Sequence, residues 1–223
     1  MKILLVFATV KEAEILEGVK GLRKNDGGYQ FGCHSLDTCI TGVGGMQTAW
    51  ALKLWLDNNS LPDLAINAGI AGSYRKDILP GDVVMPVSDC FGDLGIEKDN
   101  NFFTLSEASL ANPDDPPFTG GRLPADNNYV KRMSYLLKPV NAVTVNTASG
   151  SGASIIRLIN KYNPDIESME GATFFYICTR EKIPFLAIRA ISNFVEPGTR
   201  GKWEIKLALE NLAGKLNEVL NIL

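Results

Sequence analysis

The sequence predicts an α/β fold in which one mixed, largely parallel β-sheet is flanked by helices on both faces. Short apolar segments that indicate buried strands alternate with longer segments whose apolar residues recur at helical spacing. Such alternation is typical of sheets whose strands are joined by helical crossovers. The chain has 223 residues, of which 45% are hydrophobic, and this is enough for one sizeable core. We therefore expect residues 1–223 to form a single domain.

The amino-terminal part of the chain is predicted to alternate between strands and helices. We expect a strand at residues 2–8, a helix from about residue 10, a hairpin that ends at residue 42, a helix at 46–56 and a strand at 63–68. The segment Gly69-Ile70-Ala71-Gly72 follows that strand. Its glycines indicate either a tight turn or a loop whose backbone a ligand can approach closely.

The remaining part continues the same pattern after a long interruption. A strand is expected at residues 82–87, and residues 92–126 are predicted to be a long loop region because they contain four prolines and few apolar runs. Loops of that length are often functional or mobile. Further elements are then predicted, namely helices at 127–137, 151–161, 170–181 and 202–220 and strands at 140–145, 165–168 and 185–191.

Composition excludes several classes of function. The net charge is −3 and no long basic stripe is present, so we expect no nucleic-acid partner. No apolar run reaches the roughly 18 residues of a membrane span, and the apolar start is interpreted as a core strand rather than a signal peptide. The four cysteines lack CxxC spacing, which indicates reduced thiols in a cytoplasmic protein. With His34 as the only histidine, we expect no metal site and no Ser-His-Asp triad.

Three polar residues fall at or just beyond the carboxyl ends of predicted strands, where open α/β sheets bind their ligands. They are Glu12, Glu170 and Asn193. Each has a structural alternative. Glu12 would then be an exposed first-turn acid that interacts only with the helix dipole, Glu170 would form a salt bridge with Arg189, and Asn193 would begin a turn.

Two glycine-containing segments limit the choice of ligand. Gly42-Val43-Gly44-Gly45 does not complete a dinucleotide fingerprint, because Gln47 occupies the sixth position and the loop does not follow the first strand. In the segment 69–72, a phosphate site would need hydroxyls or an arginine beside the backbone amides. Ile70 offers neither, so the segment does not indicate a phosphate site.

Six segments together resemble the nucleoside phosphorylase and nucleosidase superfamily over nearly the whole chain. They are Met1-Lys2-Ile3 with Glu12, Thr41-Gly42-Val43-Gly44, Asn67-Ala68-Gly69-Ile70-Ala71-Gly72, Pro80-Gly81-Asp82-Val83-Val84, Ser168-Met169-Glu170-Gly171-Ala172 and Arg189-Ala190-Ile191-Ser192-Asn193. Within the superfamily the chain is similar to the methylthioadenosine/S-adenosylhomocysteine nucleosidases and, more closely, to the futalosine hydrolases. The resemblance implies a nucleoside phosphorylase-like fold and a nucleoside substrate.

The resemblance also implies roles for particular residues. Glu12 matches the residue that activates the attacking water, Met169 and Glu170 match the pair that contacts the ribose, and Asn193 matches the residue facing purine N7. Ile70, Ala71 and Gly72 are expected to border the substrate. The family forms oligomers, often dimers, so a homo-oligomer is expected, and no metal or organic cofactor is implied. A substrate that carries a carboxylate, such as futalosine, is expected to bind a cationic side chain of the protein. Arg200 and Lys202 are candidates for that side chain; the alternative is that both are solvated loop charges.

Position 193 departs from the adenine-specific nucleosidases, which carry Asp there. An amide has both a donor and an acceptor, so Asn193 can donate to O6 of a 6-oxopurine and accept from a protonated N7. We therefore expect hydrolysis of a 6-oxopurine nucleoside such as futalosine or inosine. The alternatives are a methylthioadenosine nucleosidase, a purine nucleoside phosphorylase, and a nucleoside-binding sensor without catalysis.

Overall fold

The computed structural model describes residues 1–99, 101–198 and 203–223. Its elements follow the predicted alternation of strands and helices. In chain order they are β1 (Lys2–Phe7), α1 (Val10–Ala13), a 3₁₀ helix (Glu14–Gly18), β2 (Arg23–Asn25), β3 (Gly28–Phe31), β4 (His34–Ile40), α2 (Gly45–Asn58), β5 (Leu64–Ser73), β6 (Val83–Asp89), β7 (Gly95–Lys98), β8 (Asn101–Thr104), β9 (Leu123–Pro124), α3 (Asn128–Met133), β10 (Lys138–Thr144), α4 (Gly152–Tyr162), β11 (Ile166–Ser168), α5 (Gly171–Arg180), β12 (Phe185–Phe194) and α6 (Ile205–Ile222).

Within the described residues one mixed sheet contains ten strands. Their order is β11-β10-β6-β12-β5-β1-β4-β3-β2, and β9 pairs with β6. Helix α6 packs on β12 and β5, while α5 packs on β10 and against α2. The predicted α/β fold with a mixed sheet flanked by helices is therefore confirmed. The sheet takes strands from both ends of the chain, and on that ground we propose that residues 1–223 form one domain.

Strand β5 has two different neighbours along one edge. Its first half pairs with β1 as far as Asn67, and its last two residues pair with β11, which also closes the order β11-β10-β6-β12-β5 into a ring. Among the described residues, the edge between Asn67 and Gly72 has no strand beside it. This gap is filled by side chains rather than by a ladder of backbone hydrogen bonds.

Two expectations about loops are wrong. The segment 69–72 is neither a turn nor a loop, because β12 pairs with it, with a register shift between Ile191 and Asn193, and holds it extended as the end of β5. The region 92–126 contains the β7–β8 hairpin, whose residues in β7 are all exposed. Strand β7 buries no residue and the apolar residues of both strands do not alternate in the sequence, so the sequence carried no strand signal there. No helix of the described ranges combines the length and the apolar character needed to cross a membrane.

Candidate active site

A cavity of about 310 Å³ opens beside the gap in the edge of β5. Its walls come from segments that are distant in the sequence. They include residues 8, 9, 11 and 12 after β1, Val43, residues 70–72 of β5, residues 148–149, residues 167–170 around the start of α5, residues 192, 193 and 195 at and just after the end of β12, and Trp203, Ile205 and Leu209. The carboxyl ends of β1, β5, β11 and β12 therefore meet at one pocket, as the ligand-binding edge of an α/β sheet requires.

Glu12 is buried in this cavity and is held by both of its carboxylate oxygens. Thr9 and Glu12 form a capping box at the start of α1, in which Oε2 accepts from the Thr9 backbone N–H at 3.0 Å and from its hydroxyl at 3.2 Å. Oε1 accepts from the backbone N–H of Ile70 at 3.1 Å, across the gap in the edge of β5. A Cβ at Gly69 would lie 2.8 Å from Oε1, so glycine is needed there. Glu12 is therefore a buried, fixed acid and not the exposed acid of the structural alternative.

Glu170 occupies the N-cap position of α5, yet its side chain does not cap that helix. Oε1 instead accepts from the backbone N–H of Gly44 at 3.0 Å, at the start of α2. Gly44 has φ +92°, a conformation that glycine adopts without strain. Burial raises the pKa of Glu170, whereas the Gly44 N–H and the charge of Arg189 act to lower it.

The first turn of α5 is capped by residues other than Glu170. The N–H of Gly171 donates to the Ser168 hydroxyl at 3.4 Å, and the N–H of Ala172 donates to the Thr144 hydroxyl at 2.7 Å. Thr144 in turn donates to Asp89 Oδ1 at 3.0 Å. These bonds satisfy backbone donors that a helix leaves unpaired at its start. They leave the Glu170 side chain directed at Gly44.

Arg189 lies beneath the cavity and is 1% exposed. Its guanidinium donates to the backbone oxygens of Asn67, at 2.9 Å, and Ile188, at 3.2 Å, and also to the side-chain oxygen of Asn67. No salt bridge between Arg189 and Glu170 occurs in the described part of the chain, so the structural alternative for Glu170 is wrong. Burial lowers the pKa of Arg189, while the charges of Glu170, Glu12 and Asp89 raise it.

Asn193 is buried in the part of the cavity wall that β12 forms, and its neighbours fix the orientation of its amide. The Ser192 hydroxyl donates to Oδ1 at 2.7 Å, and Nδ2 donates to the backbone oxygen of Phe194 at 2.9 Å. An amide can accept and donate twice each, so one lone pair and one N–H remain for a ligand. Asn193 lies inside β12, which runs beyond the predicted end at residue 191, and it does not begin a turn.

The cavity brings most of the expected site residues together. Glu12, Ile70, Ala71, Gly72, Met169, Glu170 and Asn193 all line it. Arg200 and Lys202 lie outside the described residues. Polar residues that the sequence analysis did not select also line it, among them Thr9, Lys11, Ser149 and Glu167. In the sequence Glu167 stands between Ile166 and Ser168 in a three-residue strand, and nothing local marks it as a site residue.

A second cavity, of about 360 Å³, lies under residues 104–122 and is separate from the first. Its two cationic residues already have partners, since Arg122 donates to Ala142 O at 2.7 Å and Lys161 donates to Glu107 at 2.8 Å. Of the described residues between 92 and 126, none lines the cavity that contains Glu12. The described ranges contain no group of three or more His, Cys, Asp or Glu side chains placed to hold a metal ion.

Comparison with known proteins identifies the family. A model of the phosphorylase superfamily matches residues 38–223. The chain belongs to the phosphorylase superfamily. This match confirms the superfamily resemblance that the sequence segments indicated. The fold described above is therefore that of a phosphorylase-superfamily protein.

Relatives of this phosphorylase-superfamily chain include nucleosidases. It is 30% identical to a futalosine hydrolase of Acidothermus cellulolyticus, over 95% of this chain and 87% of that protein. Among solved structures, the native futalosine hydrolase of Helicobacter pylori has a TM-score of 0.80 at 15% identity, covering 100% of this chain and 98% of that one. The methylthioadenosine/S-adenosylhomocysteine nucleosidase of Neisseria meningitidis, in complex with methylthio-immucillin-A, has a TM-score of 0.81 at 19% identity, covering 100% and 99%.

Asp89 makes the stability of the protein depend on pH. Burial raises the pKa of Asp89 from 3.8 to about 7, against the opposing hydrogen bonds from Thr144 and Cys90. The folded state therefore binds more protons than the unfolded state between these values, and ionisation of Asp89 lowers the free energy of unfolding as pH rises through that window. Asp89→Asn removes this titration. The free energy of unfolding of Asp89→Asn, relative to that of wild type, should increase by up to about 1.4 kcal/mol per pH unit from about pH 4 to about pH 7.

The measurement is urea unfolding at several pH values, with exposed Asp26→Asn as the matched control. The difference between the control and wild type should stay flat. A difference between Asp89→Asn and wild type that is also constant from about pH 4 to pH 8 would contradict the assignment.

Proposed function

We propose that this chain is a hydrolase that cleaves the N-glycosidic bond of a purine nucleoside with water. The observation that carries the proposal is the meeting of two buried carboxylates, Glu12 and Glu170, and one oriented amide, Asn193, in a single cavity. The named activities of its relatives, futalosine hydrolase and methylthioadenosine/S-adenosylhomocysteine nucleosidase, support the same reaction class.

Glu12 acts as the general base in this proposal. Its carboxylate is fixed by Thr9 and Ile70, so it can hold a water molecule against the ribose C1′ and accept a proton from it. The C1′–N9 bond breaks with its electron pair going to the purine, and the water oxygen bonds to C1′. The side chain of Ile70 lines the cavity and offers no donor to phosphate, which supports water as the nucleophile.

Glu170 and Asn193 stabilise the two separating fragments. Glu170, held by Gly44, accepts hydrogen bonds from the ribose hydroxyls and adds negative charge near the cation that develops on the ribose. Asn193 accepts from the N–H at N7 of the leaving purine and donates to O6. Because an amide does not release a proton at neutral pH, the N7 proton must come from water.

The unused hydrogen-bonding groups of Asn193 also indicate the substrate. A free donor and a free acceptor on Asn193 suit a 6-oxopurine, so we propose futalosine, which would yield hypoxanthine and dehypoxanthine futalosine in menaquinone biosynthesis. Arg200 is proposed to meet the substrate carboxylate. A cytoplasmic location, the absence of nucleic-acid and membrane partners and the absence of a cofactor stay predictions.

The proposal is tested by incubating the protein with futalosine, inosine and methylthioadenosine, each with and without phosphate, and identifying the free base. We expect hypoxanthine from futalosine at a rate that phosphate does not change. Ribose 1-phosphate in a phosphate-dependent reaction would indicate a phosphorylase, adenine from methylthioadenosine alone would indicate the other nucleosidase, and binding without release would indicate a sensor. Each of those results contradicts the proposal.

Within that assay Glu12→Gln should lower kcat by about 10²–10⁴, because it removes the base and leaves the shape of the side chain. Exposed Glu14→Gln is the matched control and should retain wild-type turnover. Wild-type turnover in Glu12→Gln would remove the role given to Glu12.

Asn193→Asp should shift selectivity toward 6-aminopurines. A carboxylate only accepts, so it repels O6 and can accept from an exocyclic amino group. The ratio of kcat/KM for a 6-oxopurine nucleoside to that for its 6-amino counterpart should fall at least about tenfold. Asn128→Asp, an exposed change at the first residue of α3, should leave the ratio unaltered. Equal ratios in Asn193→Asp and wild type would count against the pairing of Asn193 with O6.

We also propose that the chain forms a homo-oligomer. Met46, Trp50 and Leu54 are exposed and recur every fourth residue along α2, and the stripe continues to Val43 on the cavity wall. A second copy packed there would remove this apolar surface from water. Light scattering should give a multiple of the monomer mass for wild type and the monomer mass for Trp50→Lys. The control Tyr135→Lys should keep the wild-type mass, and a monomeric wild type would contradict the proposal.

A further inference from the structure

Glu167 is a third buried carboxylate on the cavity wall, and it has no role in the proposed mechanism. It lies in β11 and is 7% exposed. A carboxylate that is removed from water must be hydrogen-bonded or paired with a charge. No cation forms a salt bridge with it in the described part of the chain, so hydrogen bonds must compensate its charge.

Sheet register sets Glu167 opposite Asn193. Gly72 of β5 pairs with Glu167 of β11 on one side and with Asn193 of β12 on the other. Directly paired residues of neighbouring strands point to the same face of a sheet. A Cβ on Gly72 would lie 2.8 Å from Val195 Cγ2 and 3.2 Å from Asn193 Nδ2, so the residue between Glu167 and Asn193 has no room for a side chain. Glu167 and Asn193 therefore line the same cavity on either side of Gly72.

Position along β5 separates this space from the acids assigned to the ribose. Glu12 is bonded to the N–H of Ile70, and Glu170 is bonded to the N–H of Gly44. Glu167 and Asn193 instead flank Gly72, two residues further along the strand. A nucleoside whose ribose lies near Glu12 and whose base lies at Asn193 therefore directs one edge of the base toward Glu167.

The hydrogen bonds of Glu167 leave acceptor capacity unused. Oε2 accepts from the Tyr74 hydroxyl at 2.5 Å and from the Ser149 hydroxyl at 2.6 Å, and Oε1 accepts from the Ser149 N–H at 2.8 Å. A carboxylate has about four acceptor sites, so three donors leave one. Burial and the charge of Glu167 raise the pKa of Tyr74, which keeps its hydroxyl a donor. Glu167 is thus presented to the cavity as an acceptor.

The group that needs such an acceptor is a 6-oxopurine. Its N1 carries a hydrogen, whereas N1 of a 6-aminopurine is a bare acceptor that a carboxylate repels. We propose that Glu167 accepts a hydrogen bond from N1–H of the base, while Asn193 binds the N7 and O6 edge. The inference rests on the proposed function and adds a second residue that selects 6-oxopurines. Asn193 and Glu167 together then bind three consecutive polar positions of the base, N7, O6 and N1.

The test measures dissociation constants of the free bases hypoxanthine and adenine for wild type and for Glu167→Gln. Glu167→Gln should bind hypoxanthine at least about tenfold more weakly and adenine equally well or better, because a bond to a charged acceptor is lost only for the first. Ser149→Ala is the control, since it removes a donor to Glu167 and keeps the carboxylate; the base preference should persist. A role limited to holding residue 149 would weaken both bases equally in Glu167→Gln, and that result would overturn the inference.

A second measurement needs no variant and covers the case in which Glu167→Gln does not fold. The base 1-methylhypoxanthine keeps O6 and N7 and replaces N1–H with a methyl group. It should bind wild type at least about tenfold more weakly than hypoxanthine does, and equal binding would overturn the inference.

The inference about Glu167 and the proposed function can be contradicted independently of each other. Release of hypoxanthine from a nucleoside with no effect of N1 or of residue 167 removes only the inference, whereas a wild type that cleaves no nucleoside removes the proposed function and the inference with it.

Discussion

The site depends on one buried positive charge. Arg189 lies in the centre of the sheet, held by Asn67, and the charges of Glu12, Glu170 and Asp89 all act on it. Burying Glu12 and Glu170 in one region would be unfavourable without an opposing charge, because the charge of Glu12 raises the pKa of Glu170. Arg189 bonds directly to amide and carbonyl oxygens instead of to an acid. Its charge therefore stabilises Glu12 and Glu170 while their oxygens stay available to the cavity.

The pocket arises from how the strands are arranged around β5. Strand β1 pairs with β5 as far as Asn67, and β11 pairs with it from Gly72. Between these two points the backbone N–H of Ile70 donates a hydrogen bond to Glu12. Glu12 and Glu170 each accept a hydrogen bond from a backbone N–H of a distant element, Ile70 for Glu12 and Gly44 for Glu170, which fixes their positions. Rigid positioning of this kind is what allows polar groups to stabilise charge that develops during a reaction.

Much of the fold and part of the site follow from the sequence, for physical reasons. The alternation of buried strands with amphipathic helices gives the α/β class, and strand ends mark Glu12, Glu170 and Asn193. The extended conformation of residues 69–72 was not predictable, because two glycines favour a turn until β12 pairs with them. Glu167 was missed because its place beside Asn193 depends on the register of three strands, which local sequence does not encode.

The proposed reaction requires Glu12, Glu170 and Asn193 to act on one nucleoside. A crystal structure of Glu12→Gln with an uncleaved 6-oxopurine nucleoside tests this most directly. We expect the ribose to lie against residues 12 and 170, a water to lie between the position-12 side chain and C1′, and the N7 and O6 edge to lie within hydrogen-bonding distance of Asn193. A nucleoside bound in the reverse direction, with its base beside residue 12, or bound outside this cavity, would contradict this expectation.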